Sequence, residues 1–313
     1  MSDTWVVPAD GKIVSLLPSA TEIVFALGLG ERLVGVTHEC DYPPVARKKP
    51  NLTASALPHA ATSAQIDRHV RASLHSGSSL YALDSSLLER LNPDLIITQE
   101  LCEVCAVSYD IVARAAKRLR GDPRIVSLEP SSLDDVYANV ATIGDLTGTR
   151  DAATALVAAL RARAAALQAA VAGRPHPRAL VLEWTDPPMS GGHWTPGLLE
   201  LAGGIPVLAN PGANSTVIGW EAIEAADPDV IIVAPCGLDL AATLRALDDV
   251  AATVAAWPNL RAVRERRTYA LDGNAYVNRP GPRLLDTAEL FASALHGEPL
   301  GPAAHDPTAL RRL

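Results

Sequence analysis

The sequence predicts an α/β protein of two similar α/β lobes, each with a central, mostly parallel sheet, joined by one long inter-lobe helix. Three observations carry that expectation. The first is an alanine-rich stretch near the middle of the chain, Thr149 to Ala172, long enough to span roughly 36 Å as a helix. The second is the alternation of short apolar runs with amphipathic segments on both sides of it. The third is an internal echo: Asn92-Pro93-Asp94-Leu95-Ile96-Ile97 matches Asp227-Pro228-Asp229-Val230-Ile231-Ile232, each preceded by a helical pattern and followed by a cysteine-bearing loop. The expected boundaries are 1–148 for the first lobe, 149–173 for the helix and 174–313 for the second lobe.

In the first lobe, Lys12–Leu17 reads as a buried strand, and Pro18 to Glu22 turns it into a helix that runs through Leu27 to Gly28 and Gly30. Leu33–Thr37 is the next strand and delivers His38 to Pro44 at its C-terminal end, the place where ligands bind in parallel α/β sheets. A polar insert, Arg47 to Ser79, holds a short helix carrying Ile66, Val70 and Leu74. Leu87–Leu91 leads into the strand Leu95–Thr98, whose end carries Gln99, Glu100, Cys102 and Cys105. A helix from Val107 to Leu119, a strand Ile125–Leu128 and a helix Ser132–Leu146 complete the lobe.

The connecting helix has its start and stop written into it. Thr149 can cap it, Asp151 suits the positive end of the dipole, and Gly173 with Pro175 and Pro177 ends it. Leu156, Leu160, Leu167 and Val171 form one apolar stripe. In the second lobe the strands are Ala179–Trp184, Val230–Ala234 and Thr268–Leu271, and the helices Leu198–Ala202, Trp220–Ala226, Ala241–Ala256 and Pro282–Leu295. Arg261–Arg267 reads as a solvated turn.

Composition bounds the function. The 313 residues carry 27 Lys plus Arg against 35 Asp plus Glu, and no basic run supplies the concentrated positive face that nucleic acid requires. The alanine-rich run is interrupted by Arg161 and Arg163, so no membrane insertion is expected. Asp3 stands where a secretory leader has basic residues, and the expectation is a cytoplasmic protein whose four cysteines are reduced thiols or metal ligands.

Four segments carry a recognisable pattern: Ile13 to Glu22 (IVSLLPSATE), Asp41-Tyr42-Pro43-Pro44, the two Pro-Asp strand starts, and Asn278-Arg279-Pro280-Gly281-Pro282-Arg283. In order and spacing they resemble the helical-backbone (class III) substrate-binding proteins of ABC importers, over about Lys12 to Leu295. The closest likeness is to the cobalamin binders and ferric-siderophore binders. The resemblance implies two lobes on one long helix, a small molecule such as vitamin B12, haem or a ferric siderophore held between them, and docking on a permease through a glutamate on each lobe. That glutamate lies seven residues before the Pro of the Pro-Asp motif. Glu221 occupies the position in the second lobe; in the first it is Ser86, so permease docking is expected to be impaired.

The expected ligand-binding residues come from the strand ends: His38, Glu39, Asp41, Tyr42 and Glu100 in the first lobe, and Trp184, Asp186, His193, Trp194, Asn274, Tyr276 and Arg279 in the second. A corrinoid ligand such as cobalamin is a large, mostly apolar disc with amide arms, and binding it requires flat aromatic walls and a few hydrogen-bonding groups. His193 could sit over its metal. A second reading takes Cys40, Cys102, Cys105 and Cys236 as a thiolate site for zinc, copper(I) or an iron-sulfur cluster. A third is an importer component for iron-siderophore or haem. The enzyme reading is weak: there is no Gly-x-Ser-x-Gly elbow and no Walker loop, and Gly28-Leu29-Gly30 lacks the third glycine of a dinucleotide fingerprint.

Overall fold

A computed structural model describes residues 5–55, 62–76, 81–99, 109–117, 119 and 121–313. Glu100, Cys102 and Cys105 lie outside the described residues. The chain divides into two compact units, the first comprising Met1–Ala61, Arg68–Glu129 and Asp134–Ala159, the second Thr62–Asp67, Pro130–Leu133 and Leu160–Leu313.

In chain order the first half runs β1 (Ile13–Ser15), α1 (Pro18–Ala26), β2 (Leu33–Gly35), β3 (Thr53–Ser55), α2 (Ser63–Ser76), β4 (Tyr81–Leu83), α3 (Ser85–Leu91), β5 (Leu95–Thr98), α4 (Tyr109–Ala116), β6 (Arg124–Ser127) and α5 (Leu133–Thr147). Strands β2-β1-β5-β6 form one wholly parallel sheet. Because side chains alternate across a strand, Ile13, Leu95 and Ile97 join one core with Ile23 of α1 and Val140 and Ile143 of α5. Val14 and Ile96 join the opposite core with Leu88 of α3 and Val112 of α4. A sheet buried on both faces explains why these strands read as unbroken apolar runs. The antiparallel pair β3–β4, with Thr53 opposite Leu83, was not legible in the polar insert.

The long helix, α6 (Arg150–Val171), starts and stops as its sequence dictates. The Ala153 amide donates to the Thr149 carbonyl at 3.0 Å, and Gly173 takes the left-handed conformation (φ +75°) that ends a helix without a Cβ penalty. Ala153 packs into the first unit's core, whereas Leu160, Leu167 and Val171 are buried in stretches assigned to the second, so the boundary falls inside the helix. By length and composition α6 would also pass for a membrane span. Its large apolar residues are buried or half-buried and its outer face is mostly alanine with Arg161, the pattern of a helix laid along protein by one apolar stripe.

Beyond it come β7 (Arg178–Thr185), β8 (Pro188–Ser190), β9 (Gly192–His193), α7 (Thr195–Leu201), β10 (Ile205–Pro206), β11 (Asn210–Pro211), β12 (Thr216–Val217), α8 (Trp220–Ala226), β13 (Val230–Val233), α9 (Leu240–Thr253), α10 (Arg261–Arg264), β14 (Thr268–Leu271), α11 (Leu284–His296) and β15 (Leu310–Arg312). The sheet order is β12-β8-β7-β13-β14-β15, with β10 also pairing β7. Strands β7, β13, β14 and β10 run parallel, while β8, β12 and β15 are antiparallel additions. The second sheet is therefore larger and more mixed than a simple copy of the first.

The internal echo has a physical cause. Asn92 (φ 44°) and Asp227 (φ 39°) close α3 and α8 in the left-handed conformation that Asn and Asp tolerate. The aspartate two residues on then pins the first strand of its own unit. Asp94 Oδ2 accepts from the Lys12 amide at 2.8 Å, and Asp229 Oδ2 accepts from the Arg178 amide at 2.8 Å. Arg261 is not the solvated turn expected of its segment: it opens α10 and pairs with Asp229 at 2.7 Å and Asp227 at 3.3 Å.

Candidate functional site

In the first unit, the chain leaving β2 carries Thr37 to Tyr42. His38 Nδ1 lies 2.7 Å from Thr53 Oγ1, and its ring centroid is 5.5 Å from that of Tyr81. Partial burial lowers its pKa from the ordinary histidine value, so His38 is neutral at neutral pH. Glu39 is half-buried beneath the Tyr81 hydroxyl, Asp41 pairs with Arg47 at 3.5 Å, and the Tyr42 ring is exposed. Thus β2 presents an imidazole, two carboxylates and a phenol together.

Cys40 departs from the thiolate reading. It is 3 % exposed inside the apolar core that contains Ile13 and Ile23, and its Sγ lies 3.0 Å from Thr21 Oγ1 and 3.2 Å from Thr37 Oγ1. A thiol enclosed by apolar side chains and two hydroxyls packs a core. Cys236 is exposed at the end of β13. Among the described residues, no three His, Cys, Asp or Glu side chains form a group that could hold a metal.

The second unit brings its predicted residues together at the C-terminal ends of β7, β13 and β14. Trp194 Nε1 donates to the Val277 carbonyl at 2.8 Å, Asn278 Nδ2 donates to Gly273 and Ala234 carbonyls, and the Asn274 amide donates to Leu238. One hydrogen-bonded web therefore joins the loops after all three strands. His193 stacks on Trp194 with ring centroids 5.4 Å apart and 29° between planes. Its Nε2 lies 3.0 Å from Asn214 Oδ1, which makes Nε2 the donor and leaves the Nδ1 lone pair available. Burial depresses the His193 pKa, with the Asn214 contact opposing it, so this ring too is neutral at neutral pH.

Two predicted ligand contacts are placed otherwise. Trp184 is 7 % exposed within β7, its Nε1 closing on the Asp186 carbonyl at 3.1 Å, and it serves the core rather than a ligand wall. Arg279 is 4 % exposed and holds Asn274 Oδ1 at 3.1 Å, so it organises the loop from within. Tyr276 is half-buried: its hydroxyl donates to Asp306 at 3.1 Å, Arg283 lies over its ring at 5.6 Å, and burial with the nearby carboxylates raises its pKa. Asp186 is exposed at the end of the strand.

Sequence reasoning missed Glu183, Asn214 and Asp306. Glu183 could have been noticed, because a charged residue inside the apolar run Ala179–Trp184 demands hydrogen-bond partners. Asn214 and Asp306 touch the site across long sequence separations and left no local signal.

The sequence profile described as periplasmic binding protein matches residues 13–275. A cobalamin-binding protein of Halobacterium salinarum is 27% identical, over 91% of this chain and 69% of its own. An uncharacterised ABC transporter substrate-binding lipoprotein of Bacillus subtilis is 26% identical, over 91% of this chain and 80% of its own. Among solved structures, a periplasmic haem-binding protein of Roseiflexus superimposes with a TM-score of 0.69 at 26% identity, covering 94% of this chain and 99% of that one.

Proposed function

The chain belongs to the periplasmic binding protein family, and from that premise we propose that it is a non-enzymatic binder of a corrinoid, or a similar planar metal-bearing molecule. The observation that carries the reading is the His193–Trp194 pair: a flat indole fixed through Val277, beside a neutral imidazole whose Nδ1 lone pair is uncommitted. An apolar disc needs the first and a metal at its centre can take the second. The names of the relatives agree in kind, since one binds cobalamin and another haem. Titration with cobalamin and cobinamide, followed by the visible spectrum and tryptophan quenching, is expected to show saturable binding; none at high micromolar ligand would refute the reading. Metal analysis after anaerobic, reducing purification separates it from the thiolate alternative, which requires stoichiometric zinc, copper or iron.

A pH dependence follows from His193. Coordination needs the neutral ring, and burial keeps the ring neutral to lower pH than an ordinary histidine of pKa about 6.5. Affinity should therefore stay level as pH falls from 8 to about 6.5 and decline only below that, as the proton competes for Nδ1. His193→Ala should flatten the acid limb. A wild-type decline centred above about 6.5 would contradict His193 as the titrating ligand.

Delivery to a permease is the part of the family role for which this chain is least equipped. Glu221 is exposed at the second residue of α8, and the matching second residue of α3 is the exposed Ser86, with Asp84 committed as the helix cap and Glu89 one turn along. We place the protein in the cytoplasm as a carrier, sensor or store. A secreted form should fail to rescue uptake in a strain lacking its own binding protein, and Ser86→Glu should improve it. Rescue by the unaltered chain, or its recovery outside the membrane, would overturn this part of the proposal.

A further inference from the structure

Glu183 is a charged group that this reading leaves without a role. It lies within β7, in a strand whose other residues from Ala179 to Thr185 are buried. Its carboxylate receives donors from two segments, Thr195 Oγ1 at 2.6 Å and the Ser215 hydroxyl, and Ser215 Oγ in turn accepts the Gly192 amide at 3.2 Å. Thr195 opens α7, Ser215 leads into β12, and Gly192 immediately precedes His193-Trp194.

These segments are otherwise held by short strand pairings and single hydrogen bonds. Strands β9 and β11 pair over two residues, Gly192 with Asn210 and Pro211 with His193, too short to persist alone. His193 sits at φ +48°, a conformation a histidine keeps only where its surroundings enforce it. The two chains are in direct backbone contact: the His193 amide donates to Ala213 at 2.7 Å, and a Cβ on Gly192 would lie 2.4 Å from both the Ala213 oxygen and the Ser215 nitrogen. Only glycine permits that approach, and a group reaching both chains from the sheet behind ties the pair to β7. A carboxylate with two acceptor oxygens does so; an apolar residue would leave the Thr195 and Ser215 hydroxyls without it.

We propose that Glu183 is a positioning residue that clamps segments 192–195 and 213–215 to β7, so that His193 and Trp194 are presented as a preformed wall to the ligand. The ligand-facing role of that pair rests on the function proposed above; the clamp itself does not. Burial pushes the Glu183 carboxyl upward, and the hydrogen bonds around it offset part of the effect, as expected of a group retained for its contacts.

The test separates the two claims. Amide exchange over 192–195 and 213–216, and exchange of the Trp194 indole N–H, are measured in the wild type, Glu183→Ala, Glu183→Gln and Thr195→Val. Glu183→Ala should accelerate exchange in both segments by at least about tenfold while β13 and β14 stay protected, and Thr195→Val should do so more weakly. Glu183→Gln, which keeps the shape and one acceptor, should restore protection to within about threefold of wild type. Cobinamide affinity should follow the same order. If the wild type binds no cobinamide, the ligand reading fails and the exchange data still judge the clamp. Unchanged exchange in Glu183→Ala, or loss of protection throughout the second unit in both Glu183→Ala and Thr195→Val, would overturn it.

Discussion

Trp194→Ala is expected to weaken cobinamide binding by about 30-fold or more, the loss typical of a central aromatic anchor. The indole is only partly buried, so it has a face to offer, and its orientation is set by the 2.8 Å bond from Nε1 to the Val277 carbonyl and by the stacked His193 ring. A ring held in place before the ligand arrives loses little entropy on binding, and its contact area is therefore expressed in affinity. Trp194→Phe keeps a flat face but loses the Val277 anchor and should retain about a tenth to a third of the affinity. Trp184→Phe is the control: Trp184 is buried in β7 with its Nε1 on Asp186, so affinity should move by less than about threefold. Calorimetry or the ligand's own visible band is the readout, because tryptophan quenching changes with the substitutions. Equal losses at Trp184 and Trp194, or none at Trp194, would remove the wall from the proposal.

The contrast between these two tryptophans shows what was legible in the sequence. Strands buried on both faces are unbroken apolar runs, so Leu95–Thr98 and Thr268–Leu271 were read to the residue. Helix α6 was legible because Thr149, Gly173 and the alanine interior all act locally. The Pro-Asp echo was legible too, and the structure supplies its reason in Asp94 and Asp229, each holding an amide more than 50 residues earlier in the chain. Short antiparallel additions such as β8, β12 and β15 were missed, since strands of two or three residues carry no period to detect. Site residues were harder. Spacing places Trp184 and Trp194 equally well at a strand end, yet whether a side chain turns into the core or out of it depends on partners far along the chain. Val277 decides it for Trp194 and the sheet itself for Trp184. Cys40 was misjudged for the same reason: the threonines that enclose it, Thr21 and Thr37, lie on either side of an intervening helix-to-strand passage.

Glu289→Ala is expected to destabilise the second unit by about 2 to 3 kcal/mol. Helix α11 is buried along almost its whole length, and Glu289 is the more deeply buried of its two carboxylates, 3 % exposed. Its Oε1 accepts from Arg163 Nη2 at 2.8 Å and Nε at 3.2 Å, and its Oε2 accepts from the Ala303 amide at 2.9 Å. One side chain thus ties the C-terminal half of α6, α11 and the turn beginning at Pro302. Arg163 also bonds Asp286 at 2.7 Å, and its pKa is raised by these partners against the opposing effect of burial. Truncation leaves the Ala303 amide unpaired and Arg163 with one carboxylate instead of two. The estimate sits below the full cost of stripping a partner from a buried ion because the Arg163 side chain is 35% exposed and water can replace part of the loss. In thermal unfolding the second unit's transition should fall by about 4 to 12 °C. Asp286→Asn should cost less than about 1 kcal/mol, since Arg163 keeps Glu289 and the Asp286 side chain is 23% exposed. Urea denaturation of the three proteins gives the comparison, and a Glu289→Ala variant within about 0.5 kcal/mol of wild type would show that packing of α11, not this ion pair, holds the C-terminal half of α6 in place.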